Sequence, residues 1–259
     1  MILSIDIGNT NITLGVFNQD SLEETFRLAS DKELSQFEYE ILIKTLCKDY
    51  EINACVIGSV VEELSLCIKK ACDNVFNLDS FLVDNISNLG MKIELQNPKE
   101  VGADRIANAY GAKVKYSLPA IVIDIGTATT FDIVSKEGNF LGGVIMPGLN
   151  LQFKSLSSNT SKLPRINAGI SEKAIGDSTE NALLSGIMRG SASAIEGLIH
   201  QCELELGEKA TIIATGGQSR LISEYMFRRF DYIDPYLTLE GLKLLYNLNR
   251  VDQVVKIER

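Results

Sequence analysis

The sequence predicts an α/β protein made by duplication, in which two mixed β-sheets are each flanked by helices. Residues 3–17, LSIDIGNTNITLGVF, are echoed by residues 121–135, IVIDIGTATTFDIVS, at an offset of 118. Each segment is an apolar run closing on Asp-Ile-Gly, then a short Asn/Thr/Ala turn and a second β-rich run. That is the pattern of a hairpin whose first strand is buried. The segments after each hairpin agree too, so the order β-β-β-α-β-α occurs twice, and helices must cover a mixed sheet.

In the first half the third strand is expected at 24–29, with helices near 33–48 and 60–73. Strands at 53–58 and 80–84 and a helix from about 100 to 115 complete it. In the second half Phe140 to Met146 supplies the third strand and 149–158 a short helix. A long helix covers 179–206, a strand runs from Thr211 to Ala214, and helical patterns at 218–227 and 237–247 follow. Leu118-Pro119, just ahead of the second hairpin, is the natural join and divides the chain into domains 1–117 and 118–259. The stretch from Ser155 to Lys173, rich in Ser and Asn with Gly and Pro, reads as a mobile loop and a candidate lid.

A length of 259 residues suits two such domains. The net charge is −9, and residues 1–117 hold 18 acidic against 11 basic side chains. No basic run or basic-aromatic patch stands out, which argues against a nucleic-acid partner. One histidine, His200, excludes His-rich metal sites. The five cysteines (Cys47, Cys55, Cys67, Cys72 and Cys202) include no Cys-x-x-Cys and sit mostly in apolar contexts. They read as reduced core thiols rather than a disulfide framework. Asp6 interrupts the first apolar stretch, no basic segment precedes it, and no run approaches a membrane span. A soluble, cytoplasmic protein is expected.

An Asp at a strand end followed by a Gly turn offers two things at once. The carboxylate can hold a divalent cation directly or through water. The turn presents backbone N–H groups with Thr or Asn side chains toward a phosphate. Either hairpin alone reads better as a plain turn in which Asp caps local N–H groups; the matched pair favours nucleotide binding. Ile212-Ile213-Ala214-Thr215-Gly216-Gly217-Gln218 adds a third element, a strand emptying into Thr-Gly-Gly before a helix. A βα turn that needs Gly for its geometry explains it equally well. There is no P-loop, no G-x-G-x-x-G and no kinase catalytic loop.

These turns on a duplicated domain resemble the actin/hexokinase/heat-shock ATPase superfamily, whose two ribonuclease-H-like domains, built on five-stranded mixed sheets, enclose a nucleotide cleft. The segment Asn97-Pro98-Lys99-Glu100-Val101-Gly102-Ala103-Asp104-Arg105 narrows the resemblance. Together with Asp6-x-Gly8-Asn9-Thr10, Asp124-x-Gly126-Thr127-Ala128-Thr129-Thr130 and Gly142-Gly143-x-Ile145-x-Pro147-Gly148, it resembles the type III pantothenate kinases over residues 1 to about 220.

The resemblance implies ATP-dependent phosphorylation of the primary hydroxyl of pantothenate, the first step toward coenzyme A. It makes Asp104 the proton acceptor, with Gly102, Ala103, Asp104 and Arg105 holding pantothenate, helped by Thr179. Asp6, Ile7, Gly8, Asn9, Thr10, Asn11, Ile12 and Thr13 become the first phosphate-binding turn, and Thr127 a further ATP contact. Asp6 would hold magnesium through water. Asp124 would bind a monovalent cation, potassium or ammonium, which partly neutralises a site crowded with carboxylates and phosphates. One departure stands out: the family's Tyr two residues before Asn-Pro is Leu95 here, which removes a contact to pantothenate. Gly186, Gly190, Ser191, Ala192, Ser193, Ala194 and Gly197 lie on the long helix and permit close helix packing, within the domain or between subunits; the family's habit of dimerising implies a homodimer with this helix at or near the interface. The competing expectations are a kinase for another acid and a non-catalytic regulator on the same scaffold.

Overall fold

The structure, a computed structural model, describes residues 1–84 and 87–257, the side chains only as far as residue 250. The chain forms two compact units, Met1–Val114 with Leu237–Arg259, and Lys115–Tyr236.

The first unit is built on β1 (Ile2–Ile7), β2 (Asn11–Asn18), β3 (Ser21–Ala29), β4 (Ala54–Ser59) and β5 (Phe81–Leu82), in the order β3-β2-β1-β4-β5. The first three strands are antiparallel, while β4 and β5 join in parallel. Alternation along β1 sends Leu3, Ile5 and Ile7 to one face, where they pack with Tyr39 and Ile43 of α1 (Gln36–Leu46) and Leu64 and Ile68 of α2 (Glu62–Phe76). Helix α1 starts where it does because Ser35 and Glu38 form a reciprocal capping box.

The opposite face of this sheet carries Ser4 and Asp6 on β1 with Gly15 on β2 and Gly58 on β4. The glycines leave grooves that a helix can enter. Helix α3 (Ala103–Lys115) is followed much later by α7 (Leu237–Ile257), whose Leu239 sits on Gly15 and Leu242 on Gly58. Gly241 of α7 lies directly on the Ala107 carbonyl of α3, so the two helices touch backbone to backbone, and Thr238 donates to Asn108 (2.8 Å). Counting 237–247 with the second half, as the sequence reading does, misplaces this helix: its leucines fill the grooves of the first sheet.

The second unit repeats the plan with β6 (Ala120–Ile125), β7 (Ala128–Val134), β8 (Phe140–Pro147), β9 (Thr211–Thr215) and β10 (Tyr232–Ile233), in the order β10-β9-β6-β7-β8. Even the register irregularities correspond, at Val16/Phe17 in β2 and Ile133/Val134 in β7. The hairpins differ by one residue: Asp6 faces Thr13, whereas Asp124 faces Thr130. Ile121, Ile123 and Ile125 bury against α4 (Leu149–Asn159), α5 (Thr179–Leu206) and α6 (Ser219–Ser223). Helix α6 is shorter than the expected 218–227, and α4 takes in the first residues of the expected loop. Among the described residues no helix is long and apolar enough to cross a membrane.

Candidate active site

In the first unit Asp6 ends β1, paired with Thr13 on one side and Gly58 on the other. The turn beyond it is closed by the Gly8 N–H, which donates to the Asn11 carbonyl (2.9 Å). Ser30 braces the turn from β3's end: its hydroxyl donates to the Gly8 carbonyl (2.5 Å) and its N–H to the Thr10 carbonyl (3.1 Å). Asn9 and Thr10 are exposed, whereas Ile7 and Ile12 point into the core. Of the expected phosphate-binding stretch, those two isoleucines can offer only backbone.

A 3-10 turn at Pro98–Glu100, closed by Asn97 donating to Glu100 (2.9 Å), leads into α3. Ala103 rests against Gly58, the strand partner of Asp6. That contact, with Gly102 against Val60, sets Gly102 to Arg105 beside the C-terminal ends of β1 and β4, the end of the sheet that carries Asp6. The Gly102 position has a steric reason: a Cβ there would lie 2.5 Å from Asp104 Oδ1 and 3.0 Å from Val60. Asp104 Oδ1 accepts the Arg105 N–H (2.7 Å). Burial raises the proton affinity of this carboxyl above the usual aspartate value, and the Arg105 N–H and guanidinium only partly offset it.

In the second unit Asp124 ends β6, flanked by Thr130 and Thr215. Three turns meet there. Gly126 donates to the Ala128 carbonyl (3.0 Å) and Gly148 to the Thr127 carbonyl (3.1 Å); a Cβ on Gly148 would collide with the carbonyls of Gly126 and Thr127. Gly216, at φ +84°, lies against the Asp124 carboxylate and the Ile125 backbone with no room for a side chain. Thr127 is exposed at the turn's tip. Thr179 is also exposed, as the first residue of α5, whose N-cap Ser178 accepts the Asn181 N–H (3.1 Å).

Two residues of this unit carry a signal that the amino-acid sequence could not expose. Thr215 Oγ1 and Gln218 Oε1 are buried without a hydrogen-bond partner, next to Asp124 and one turn from it. Unpaired buried oxygens are costly. Like the Asp124 carboxylate they offer oxygen donors, the chemistry that suits a hard cation. Among the described residues no group of three or more His, Cys, Asp or Glu could hold a metal. A magnesium ion at Asp6 would therefore rely on water and phosphate for most of its ligands.

Two copies of one sheet, each with an Asp and a Gly turn closing its first strand, define the actin- and hexokinase-like ATPase fold. Solved structures share it over nearly the whole chain. A hexokinase of the ROK family from Thermus thermophilus is 12% identical with a TM-score of 0.52, covering 97% of this chain and 99% of that one. A structure described as a conserved putative Baf family transcriptional activator from Campylobacter jejuni is 23% identical with a TM-score of 0.62, covering 96% and 98%. The family model for type III pantothenate kinase matches residues 2–201. A type III pantothenate kinase from Exiguobacterium sibiricum is 40% identical over 255 residues, 96% of this chain and all of the relative. The chain belongs to the type III pantothenate kinase family.

Proposed function

We propose that this protein transfers the γ-phosphoryl group of ATP to the primary hydroxyl of pantothenate, giving 4'-phosphopantothenate for coenzyme A biosynthesis. The observation that carries the reading is the family match over residues 2–201, within which the Gly102–Arg105 segment and both Asp-x-Gly turns are intact.

In the reaction the hydroxyl oxygen bonds to the γ-phosphorus, the bridging P–O bond to ADP breaks, and the hydroxyl proton passes to Asp104. A carboxylate made more basic by burial is suited to that transfer, and phosphoryl transfer otherwise depends on positioning and charge stabilisation. Arg105 pairs with the substrate's carboxylate and Thr179 supplies a further polar contact. The turn from Asp6 to Thr13 and Thr127 bind the nucleotide, largely through backbone N–H groups. Cations, Mg2+ at Asp6 through water and K+ or NH4+ at Asp124, offset phosphate charge when bound. Thr215 and Gln218 fit beside Asp124 as added oxygen donors. The protein forms a homodimer with α5 at or near the interface; a Cβ added at Gly186, Gly190 or Gly197 would meet nothing within 4 Å, so the helix offers a smooth face there.

The test is ADP release with and without pantothenate, in K+ and in Na+, for wild type and Asp104→Asn. Pantothenate-dependent turnover that Asp104→Asn abolishes supports the reading; equal turnover without pantothenate overturns it. A second reading, a non-catalytic regulator, draws on the description of the Campylobacter jejuni structure as a transcriptional activator. Asp6, Asp104 and Asp124 together weigh against it, and an absence of turnover with retained nucleotide binding would restore it.

A further inference from the structure

Residues 169–173 close the stretch read from sequence as a mobile loop, yet side chains far along the chain fasten them together with the residues that follow to 178. Tyr225 donates its hydroxyl proton to the Gly169 carbonyl (3.0 Å) and accepts the Ser171 N–H (2.5 Å). Arg189 of α5 donates to the Ser171 carbonyl (3.0 Å), its guanidinium carbon 5.4 Å from the centre of the Tyr225 ring. Ser185, one turn earlier on α5, donates to the Ala174 carbonyl (2.6 Å). Gly176 then lies so close to the backbone of Asn181 and Ala182 that no Cβ fits.

The strap so formed is pressed against the first turn of α5, where Thr179 stands. Apolar burial does not explain the ties. Ile170 and Ile175 on the strap are 72% and 87% exposed, so their side chains are held out in water. Loops are ordinarily free to reorganise until such residues are covered. Here polar ties to backbone carbonyls hold a fixed path that keeps an isoleucine exposed four residues before Thr179. A fixed backbone path carrying an apolar residue into the polar first turn of a helix suits an acceptor that is apolar and branched beside its reactive hydroxyl, as pantothenate is.

We propose that Arg189, Tyr225 and Ser185 are positioning residues, which clasp the 169–178 strap to α5 so that Ile175 and Thr179 form one wall of the acceptor site. The inference rests on the proposed contact between Thr179 and pantothenate. Arg189 lies ten residues into the helix, about 15 Å along its axis from Thr179, and acts only through the strap.

The experiment compares steady-state kinetics and trypsin sensitivity of wild type, Tyr225→Phe, Ser185→Ala, Ile175→Ser, Thr179→Ala and Tyr225→Phe/Thr179→Ala. Tyr225→Phe removes both strap hydrogen bonds yet keeps the ring under Arg189. The expected result is a rise of about tenfold in KM for pantothenate, with KM for ATP and kcat within about twofold. Cleavage after Lys173 should quicken in step. Ile175→Ser should raise KM for pantothenate without altering cleavage, and the double variant should fall short of the product of its single effects. Ser185→Ala removes a single tie and keeps the test informative if Tyr225→Phe does not fold. Faster cleavage with an unchanged KM for pantothenate overturns the proposal, leaving the ties merely structural. If Thr179→Ala itself leaves that KM unchanged, the site reading beneath falls; if Thr179→Ala raises it and the clasp variants do not, only the clasp falls.

Discussion

Gly216→Ala and Gly207→Ala form a matched pair that weighs how tightly the second unit's turns close on Asp124. Both glycines have positive φ, +84° and +74°. At Gly207, which ends α5, an added Cβ meets nothing within 4 Å; at Gly216 it would overlap the Asp124 carboxylate and lie 2.7 Å from the Ile125 N and O. The left-handed conformation costs an L-residue roughly 1–2 kcal/mol, which is all that Gly207→Ala should lose. Overpacking against backbone that cannot yield adds roughly 1–3 kcal/mol, so Gly216→Ala should lose about 2–5 kcal/mol. The gain from a stiffer unfolded chain is common to both and cancels in the difference. Urea unfolding with fluorescence or circular dichroism detection gives each value from the midpoint. With K+ at Asp124 as proposed, Gly216→Ala should also blunt stimulation by K+, because the turn must move off Asp124, while Gly207→Ala keeps it. Equal destabilisation of the two variants, with K+ stimulation intact in both, refutes the argument.

Other predictions are independent of that pair. Asp104→Asn should lower kcat on the order of 10²–10⁴-fold without loss of stability, since a neutral amide relieves a buried charge. Because burial raises the Asp104 pKa above 3.8, its proposed role as proton acceptor predicts that activity falls on acidification at a pH above that value; a kcat/KM profile checks this. Glu203, 5% exposed, is held at a pKa of about 2 by bidentate Arg228 (2.8 and 2.9 Å), Lys209 and the Ala210 N–H. Glu203→Gln should cost roughly 2–3 kcal/mol at pH 7. The lowered pKa places that stabilisation above the unfolded value of 4.5, so wild type and variant should converge as pH falls toward 2, and a gap unchanged at pH 3 contradicts it. Leu95→Tyr should lower KM for pantothenate, measured by titration at saturating ATP. On the proposed homodimer, Gly190→Arg, which puts a long charged side chain on the open face of α5, should shift sedimentation from dimer to monomer.

Local chemistry made much of the fold legible. Helix α5 runs from 179 to 206 as read from sequence, because Ser178 caps one end and Gly207 breaks the other. The duplicated Asp-Ile-Gly strands announce themselves by residue type and spacing. The home of α7 is not announced, since an apolar stripe shows that a helix must pack and not on which sheet; Gly15 and Gly58, more than 180 residues away, decide it. Strand β10 escapes because two residues carry no periodicity. Within the site, Asp104 reads locally as the first turn of a helix, and only the surrounding motif marks it. Thr215 and Gln218 stand out by burying an oxygen without a partner close to the Asp124 strand end, which no sequence pattern encodes. The tethered strap escapes for the same reason: Tyr225 lies 56 residues beyond Gly169.

The placement of α7 has a consequence for how the protein is made. The first sheet emerges from the ribosome early, with the grooves at Gly15 and Gly58 still bare. The whole of Lys115–Tyr236 is synthesised before Leu239 and Leu242 arrive to fill them. The unit begun first is therefore finished last, and the second unit can complete its own core while its neighbour waits. During that interval a half-covered sheet must be kept from other chains, which makes the synthesis of the last helix the step that ends its exposure.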